Sequence, residues 1–174
     1  GLRDGHSLDA VCAEAGVVIE VVLEDLELKR TIFRALDAAA TPDAILATNT
    51  SALSVAEIAD ATARPERVVG LHFFNPAPAM KLVELIPHAG TSISALATAR
   101  TLTEAAGKTV ILCPDRPGFI VNRCARPYYG EALALFTEGR TAAEIDAAMT
   151  TAGYKPGPFA PIDLIGADIN LAAT

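Results

Sequence analysis

GLHFFNPAPAMKLVELI, residues 70–86, carries one histidine, His72, and one carboxylate, Glu84. Two apolar runs rich in strand-forming residues, VVGLHFF (68–74) and LVELI (82–86), flank Asn75-Pro76-Ala77-Pro78, which has the composition of a turn. A chain that reverses about Pro78 places His72 opposite Glu84, because the two are equally far from it in sequence. They then form a cross-strand pair. A carboxylate against an imidazole, among apolar neighbours, fixes the tautomer of the ring and favours its protonated form, which suits a group that takes a proton near neutral pH. The same pair also reads as a polar contact built into a sheet edge for structure alone. Residue types by themselves leave both readings open.

Upstream of this hairpin the chain alternates between helix and strand patterns. Ser7 to Ala15 reads as a short helix, and Gly16 to Val22 as a β-branched strand buried on both faces, as in a parallel sheet. Glu24-Asp25 open an apolar-periodic helix containing Leu26, Phe33 and Leu36, where acidic residues complement the positive end of the helix dipole. On residue type, Glu24 is either that helix-end group or a ligand contact, and Lys29 reads equally as a solvated helix lysine. A second strand, Ala44 to Ala47, ends in Thr48-Asn49-Thr50-Ser51, with the next helix from about Ser54. Hydroxyl and amide groups just past the carboxyl end of a strand occupy the crevice where open α/β sheets bind ligands, and they also serve as helix caps.

Downstream, Thr91 to Ala106 reads as an alanine-rich helix closed by Gly107, and Lys108 to Cys113 as a strand. Two prolines and a glycine in Cys113-Pro-Asp-Arg-Pro-Gly118 mark a domain boundary. Beyond it the pattern is helical throughout. Phe119 to Phe136 forms one helix with a kink expected at Pro127; Thr141 to Ala152 forms another, opened by a Thr141/Glu144 capping box; a last one begins near Pro161 and is still running at Thr174.

Composition narrows the class. Of 174 residues 51% are hydrophobic and 20% charged, enough for a core and unlike a disordered chain. A net charge of −7 argues against nucleic acid or an anionic membrane as partners, both of which call for basic surface. No run approaches the roughly 20 apolar residues of a membrane span, and the first residues show no signal-peptide pattern. Three widely spaced cysteines without a C-x-x-C suggest a reduced, cytoplasmic protein. His6 and His88 lack partner spacing, and no set of His, Cys and acidic residues has metal-ligand spacing, so no metal is expected.

The run from His72 through Asn75-Pro-Ala-Pro-Ala-Met-Lys-Leu-Val to Glu84 resembles the signature of the L-3-hydroxyacyl-CoA dehydrogenase family, which oxidises 3-hydroxyacyl-CoA thioesters with NAD. Three more stretches fit: Val18 to Lys29, Ala47 to Leu53 (with Ala52 where the family has a second serine), and Pro117-Gly-Phe-Ile-Val-Asn122-Arg. Arg126 to Ala132 and Gly157 to Gly166 look most like the branch acting on 3-hydroxybutyryl-CoA or 3-hydroxyadipyl-CoA, although Pro156 stands where the family usually has methionine.

The resemblance implies a partial Rossmann-like NAD-binding domain with a mostly parallel sheet, followed by the start of an all-helical second domain. His72 would be the general base and Glu84 its orienting partner. Ser51 and Asn122 would contact substrate, while Glu24, Lys29 and Asn75 would lie on the cofactor. The implied reaction belongs to fatty-acid β-oxidation or related acyl-CoA catabolism, in a homodimer. The G-x-G-x-x-G turn that opens such a domain is not in this sequence, and Gly5 and Gly16 have the wrong spacing for it. Residues 1–115 are therefore expected to be the C-terminal part of the NAD-binding domain, and 116–174 the first part of the helical substrate and dimerisation domain. A catalytically incomplete acyl-CoA-binding or oligomerisation segment of a multifunctional protein is the competing expectation.

Overall fold

The computed structural model describes residues 7–167. In chain order the elements are α1 (Leu8–Cys12), β1 (Val17–Glu20), α2 (Leu26–Ala39), β2 (Ile45–Thr48), α3 (Val55–Ala59), a 3-10 turn (Pro65–Arg67), β3 (Val68–Phe73), β4 (Leu82–Ile86), α4 (Ile93–Ala105), β5 (Thr109–Leu112), α5 (Val121–Thr137), α6 (Ala142–Thr151) and α7 (Phe159–Ile165). The chain divides into two compact units that part between Phe119 and Ile120.

In the first unit the five strands form one sheet in sequence order. β1, β2 and β3 run parallel, β3 and β4 antiparallel, and β4 and β5 parallel again. Parallel neighbours need a crossover, and α2, α3 and α4 supply it; the antiparallel pair needs only the loop at 74–81. Side-chain oxygens set where the crossover helices begin: Asp25, Ser54 and Ser92 accept from the backbone N–H groups of Leu28, Glu57 and Ala95. Gly107, at φ 77°, ends α4 in the left-handed conformation that suits a glycine. The core gathers Ala47, Val69, Leu71, Val83 and Leu85 from the central strands against Ala95 and Ala99 of α4.

One expectation fails here. β1 is not buried on both faces, because it is the outermost strand of the described sheet: Ile19 is 39% exposed, and only Glu20 of its four residues is buried. The fully buried strand is β2, flanked on both sides.

Gly70 shows how tightly the layers meet. A Cβ there would lie 2.9 Å from Ile86 Cβ and 2.9 Å from Val55 Cγ2, closer than carbon atoms approach. Gly70→Ala should therefore cost about 1–3 kcal/mol, as overpacked cores do, which urea unfolding of the purified variant will read. His88, which the sequence leaves without a role, has a structural one. Its Nδ1 accepts from the Gly90 N–H at 3.1 Å, so Nε2 carries the proton and donates to the Pro65 carbonyl at 2.9 Å.

The second unit is helical through its described residues. The Thr141/Glu144 capping box forms as expected, and its hydrogen bonds hold the Glu144 carboxyl below the usual carboxylate range. Pro127 lies inside an unbroken α5. The last helix differs from expectation. It begins at Phe159, where Asp146 accepts from the N–H groups of Phe159 and Ala160, and it ends at Ile165, followed by Gly166 at φ 103°. Its expected continuation to Thr174 lies partly outside the described residues.

Candidate active site

The hairpin pairs as its spacing predicts: His72 faces Glu84 across the two strands. His72 Nδ1 lies 2.7 Å from Glu84 Oε2, and the residues are 5% and 0% exposed. An ionised carboxylate only accepts, so Nδ1 is the donor and carries the proton; a neutral ring then presents Nε2 as its acceptor. Two phenyl rings adjoin the imidazole, Phe74 at 4.5 Å and Phe119 at 5.8 Å between ring centroids. The connecting loop is closed internally by the Ala79 and Met80 N–H groups donating to Pro76 O. Lys108, just before β5, donates through Nζ to the carbonyls of Ala77 and Met80.

The carboxyl ends of β1, β2 and β3 converge beside this pair through directed hydrogen bonds. Asn49 Oδ1 accepts from Phe73 N at 2.8 Å, and Asn49 N donates to Glu20 O at 2.9 Å. Glu24 reaches across from the β1–α2 loop to the loop after β2. Its Oε1 accepts from Thr50 Oγ1, from Ser51 N at 2.8 Å and from Ala52 N at 3.1 Å. Ser51 is thereby held on a fixed backbone. Beneath it, Lys29 is 1% exposed, with Nζ 2.8 Å from Glu20 Oε1 and 3.6 Å from Glu24 Oε2. Glu20 also accepts from Val22 N at 2.6 Å and Thr48 Oγ1 at 2.8 Å. A lysine in that setting is an interior cross-link, so the solvated reading of Lys29 is wrong.

Of the other expected site residues, Asn75 is exposed on the hairpin loop, and Asn122 is half-buried in the first turn of α5, in the second unit. Glu20, Phe74, Lys108, Asp115 and Phe119 were not anticipated. A lone acid in the apolar run VVIEVV was the signal for Glu20. Nothing local marks Asp115, whose carboxylate accepts from Ser54 Oγ and from the N–H groups of Val55 and Ala56, opening α3 from far along the chain.

Cys113 is buried with its Sγ 3.9 Å from the Leu85 carbonyl, and burial, with the negative charges of Glu84 and Asp115, pushes its thiol from an ordinary 9.0 up to about 12. The folded state thus holds this proton more tightly than the unfolded chain does. That contribution is complete below about pH 9 and is lost as pH rises through about 12. Urea unfolding should show the wild type losing about 1–2 kcal/mol relative to Cys113→Ala between about pH 9 and pH 10.5. Parallel pH profiles for the two proteins would refute the assignment.

A mostly parallel sheet with polar loops at the carboxyl ends of its first three strands is the frame of a Rossmann-like domain. Residues 3–116 match the family described as 3-hydroxyacyl-CoA dehydrogenase, NAD binding domain, and residues 118–174 the one described as 3-hydroxyacyl-CoA dehydrogenase, C-terminal domain. The chain belongs to the 3-hydroxyacyl-CoA dehydrogenase family. It is 47% identical, over 99% of its length, to the 3-hydroxyadipyl-CoA dehydrogenase of Escherichia coli K12, of which it covers 36%. Among solved structures it is similar to the 3-hydroxybutyryl-CoA dehydrogenase of the same organism (TM-score 0.88, 45% identity, 96% of this chain and 36% of that one). It is also similar to the (S)-3-hydroxybutyryl-CoA dehydrogenase of Ralstonia eutropha (TM-score 0.90, 37% identity, 97% and 60%). The chain thus spans between about a third and three fifths of these relatives. No described helix is long and apolar enough to cross a membrane.

Proposed function

We propose that the protein oxidises 3-hydroxyacyl-CoA to 3-ketoacyl-CoA with NAD, in the cytoplasm and as a homodimer, within β-oxidation or related acyl-CoA catabolism. The observation that carries this reading is the buried 2.7 Å contact of His72 Nδ1 with Glu84. A base must take the proton of the 3-hydroxyl as the C3 hydrogen leaves with its electron pair. His72 does so at Nε2, and Glu84, already bound at Nδ1, stabilises the imidazolium that forms. Ser51 donates a hydrogen bond to the developing 3-keto oxygen or to the thioester carbonyl.

NAD, when bound, supplies the hydride acceptor. The residues present suit its nicotinamide and ribose end. Glu24 is a carboxylate with its side chain one-third exposed and ion-paired to Lys29, and Val21 and Leu23 just before it in the chain are exposed apolar residues. Asn75 is exposed at the hairpin and joins them in this reading. The relatives named for 3-hydroxyadipyl-CoA and 3-hydroxybutyryl-CoA favour short or dicarboxylic acyl chains for this protein too.

The test is an assay of the full-length protein with acetoacetyl-CoA and NADH, followed by the fall in NADH absorbance. Turnover is expected. Tight acyl-CoA binding without NADH consumption, for this and for longer or dicarboxylic 3-ketoacyl thioesters, would replace the dehydrogenase by a binding module.

A further inference from the structure

Phe119 combines two features that seldom occur together. Its backbone sits at φ 45°, in the left-handed region that a bulky L residue enters at a cost of about 1–3 kcal/mol, yet its side chain is buried, with the residue 2% exposed. Gly118 before it is also left-handed, at φ 73°, and the Phe119 N–H donates to the Arg116 carbonyl at 2.9 Å, closing the turn. A glycine at 119 would make the same turn without strain. What the phenylalanine adds is a ring packed against the His72 imidazole, with centroids 5.8 Å apart and planes inclined at 56°.

The hydrogen bond to Glu84 decides which nitrogen of His72 faces the carboxylate. It leaves the tilt of the imidazole about that contact unset. Phe74, at 4.5 Å and also inclined at 56°, and Phe119 are the rings that bound this motion. Phe74 belongs to the loop that follows β3, whereas Phe119 arrives from the segment after β5, so the imidazole is flanked by rings from two separate segments of the chain.

We infer that Phe119 is a positioning residue for the reaction proposed above: its strained backbone seats a phenyl ring against His72 and so sets the direction in which Nε2 meets the substrate hydroxyl. The inference rests on that proposed reaction. Misplacing a reacting group by about 1 Å can cost on the order of 10²-fold in rate. Part of that is expected when the ring is lost, since the Glu84 hydrogen bond remains.

The experiment compares Phe119→Leu and Phe119→Met with wild type in the full-length protein; both keep apolar bulk and neither keeps a ring. The expected result is a fall in kcat of roughly tenfold, with KM for acyl-CoA and for NADH within about twofold. The His72 Cε1–H signal in the NMR spectrum should also move, since it loses a neighbouring ring current. Unchanged kcat in both variants, beside an inactive His72→Gln, overturns the role of Phe119 and leaves the dehydrogenase intact. A kcat loss that merely tracks a loss of folded protein, with the His72 signal unmoved, overturns it as well. An active His72→Gln removes the reaction on which the role depends, and the inference falls with it.

Discussion

Replacing His72 by glutamine lowers kcat of the full-length protein by about 10²- to 10⁴-fold, the range that a positioned general base contributes, while KM for the acyl-CoA changes little. Glutamine fits the space and can still hydrogen-bond Glu84, but its amide takes no proton at neutral pH. The loss therefore falls on the chemical step, which is how an interaction made in the transition state shows itself. Glu84→Gln should lose roughly tenfold or more, for a related reason. A carboxylate compels Nδ1 to donate, whereas an amide can present either its oxygen or its nitrogen, so the tautomer is no longer dictated. Near wild-type turnover in His72→Gln would show that the hairpin pair is an architectural contact and that the base lies elsewhere.

Lys29→Met should destabilise the protein by about 3–5 kcal/mol, because it strands the Glu20 carboxylate in the interior without its counter-charge. Glu20 keeps its hydrogen bonds from Val22 N and Thr48 Oγ1, but the ammonium at 2.8 Å is gone. The pair itself contributes little relative to an apolar pair of similar shape, since removing two charges from water offsets most of their attraction. Half of it is worse than none. The double variant Glu20→Gln/Lys29→Met should accordingly be more stable than Lys29→Met alone, a coupling that a double-mutant cycle in urea measures directly. A single variant that costs under about 1 kcal/mol would mean that water reaches Glu20 and the ion pair is not sealed.

These two sites were legible in the sequence to different degrees. The hairpin could be read because everything that determines it is local: two β-branched runs, a turn rich in proline, and equal spacing about Pro78. The capping box at Thr141 and Glu144 is local in the same sense. Lys29 could not be read, because its partner Glu20 lies on a strand and its burial depends on how α2 lies over the sheet. The exposure of β1 went unread for a matching reason: a run of β-branched residues says that a strand is apolar, not where it lies in the sheet, and β1 is outermost among the described strands. Asp115 and Phe119 are harder still, since each meets a partner more than forty residues away through a turn whose geometry no short pattern announces.

The alignment of β4 against β3 carries the histidine–acid contact as much as the two residues themselves do. Successive side chains on a strand point to opposite sides, so offsetting β4 against β3 by one step would bring Val83 or Leu85 opposite His72 and swing the carboxylate to the far side of the sheet. The buried residues of both strands hold that register, so a residue inserted in the connection is taken up within the loop as long as the strands stay in step. A slip of two would preserve the side and shift the carboxylate along it. A slip of one would take the acid from the histidine without altering any residue of either strand.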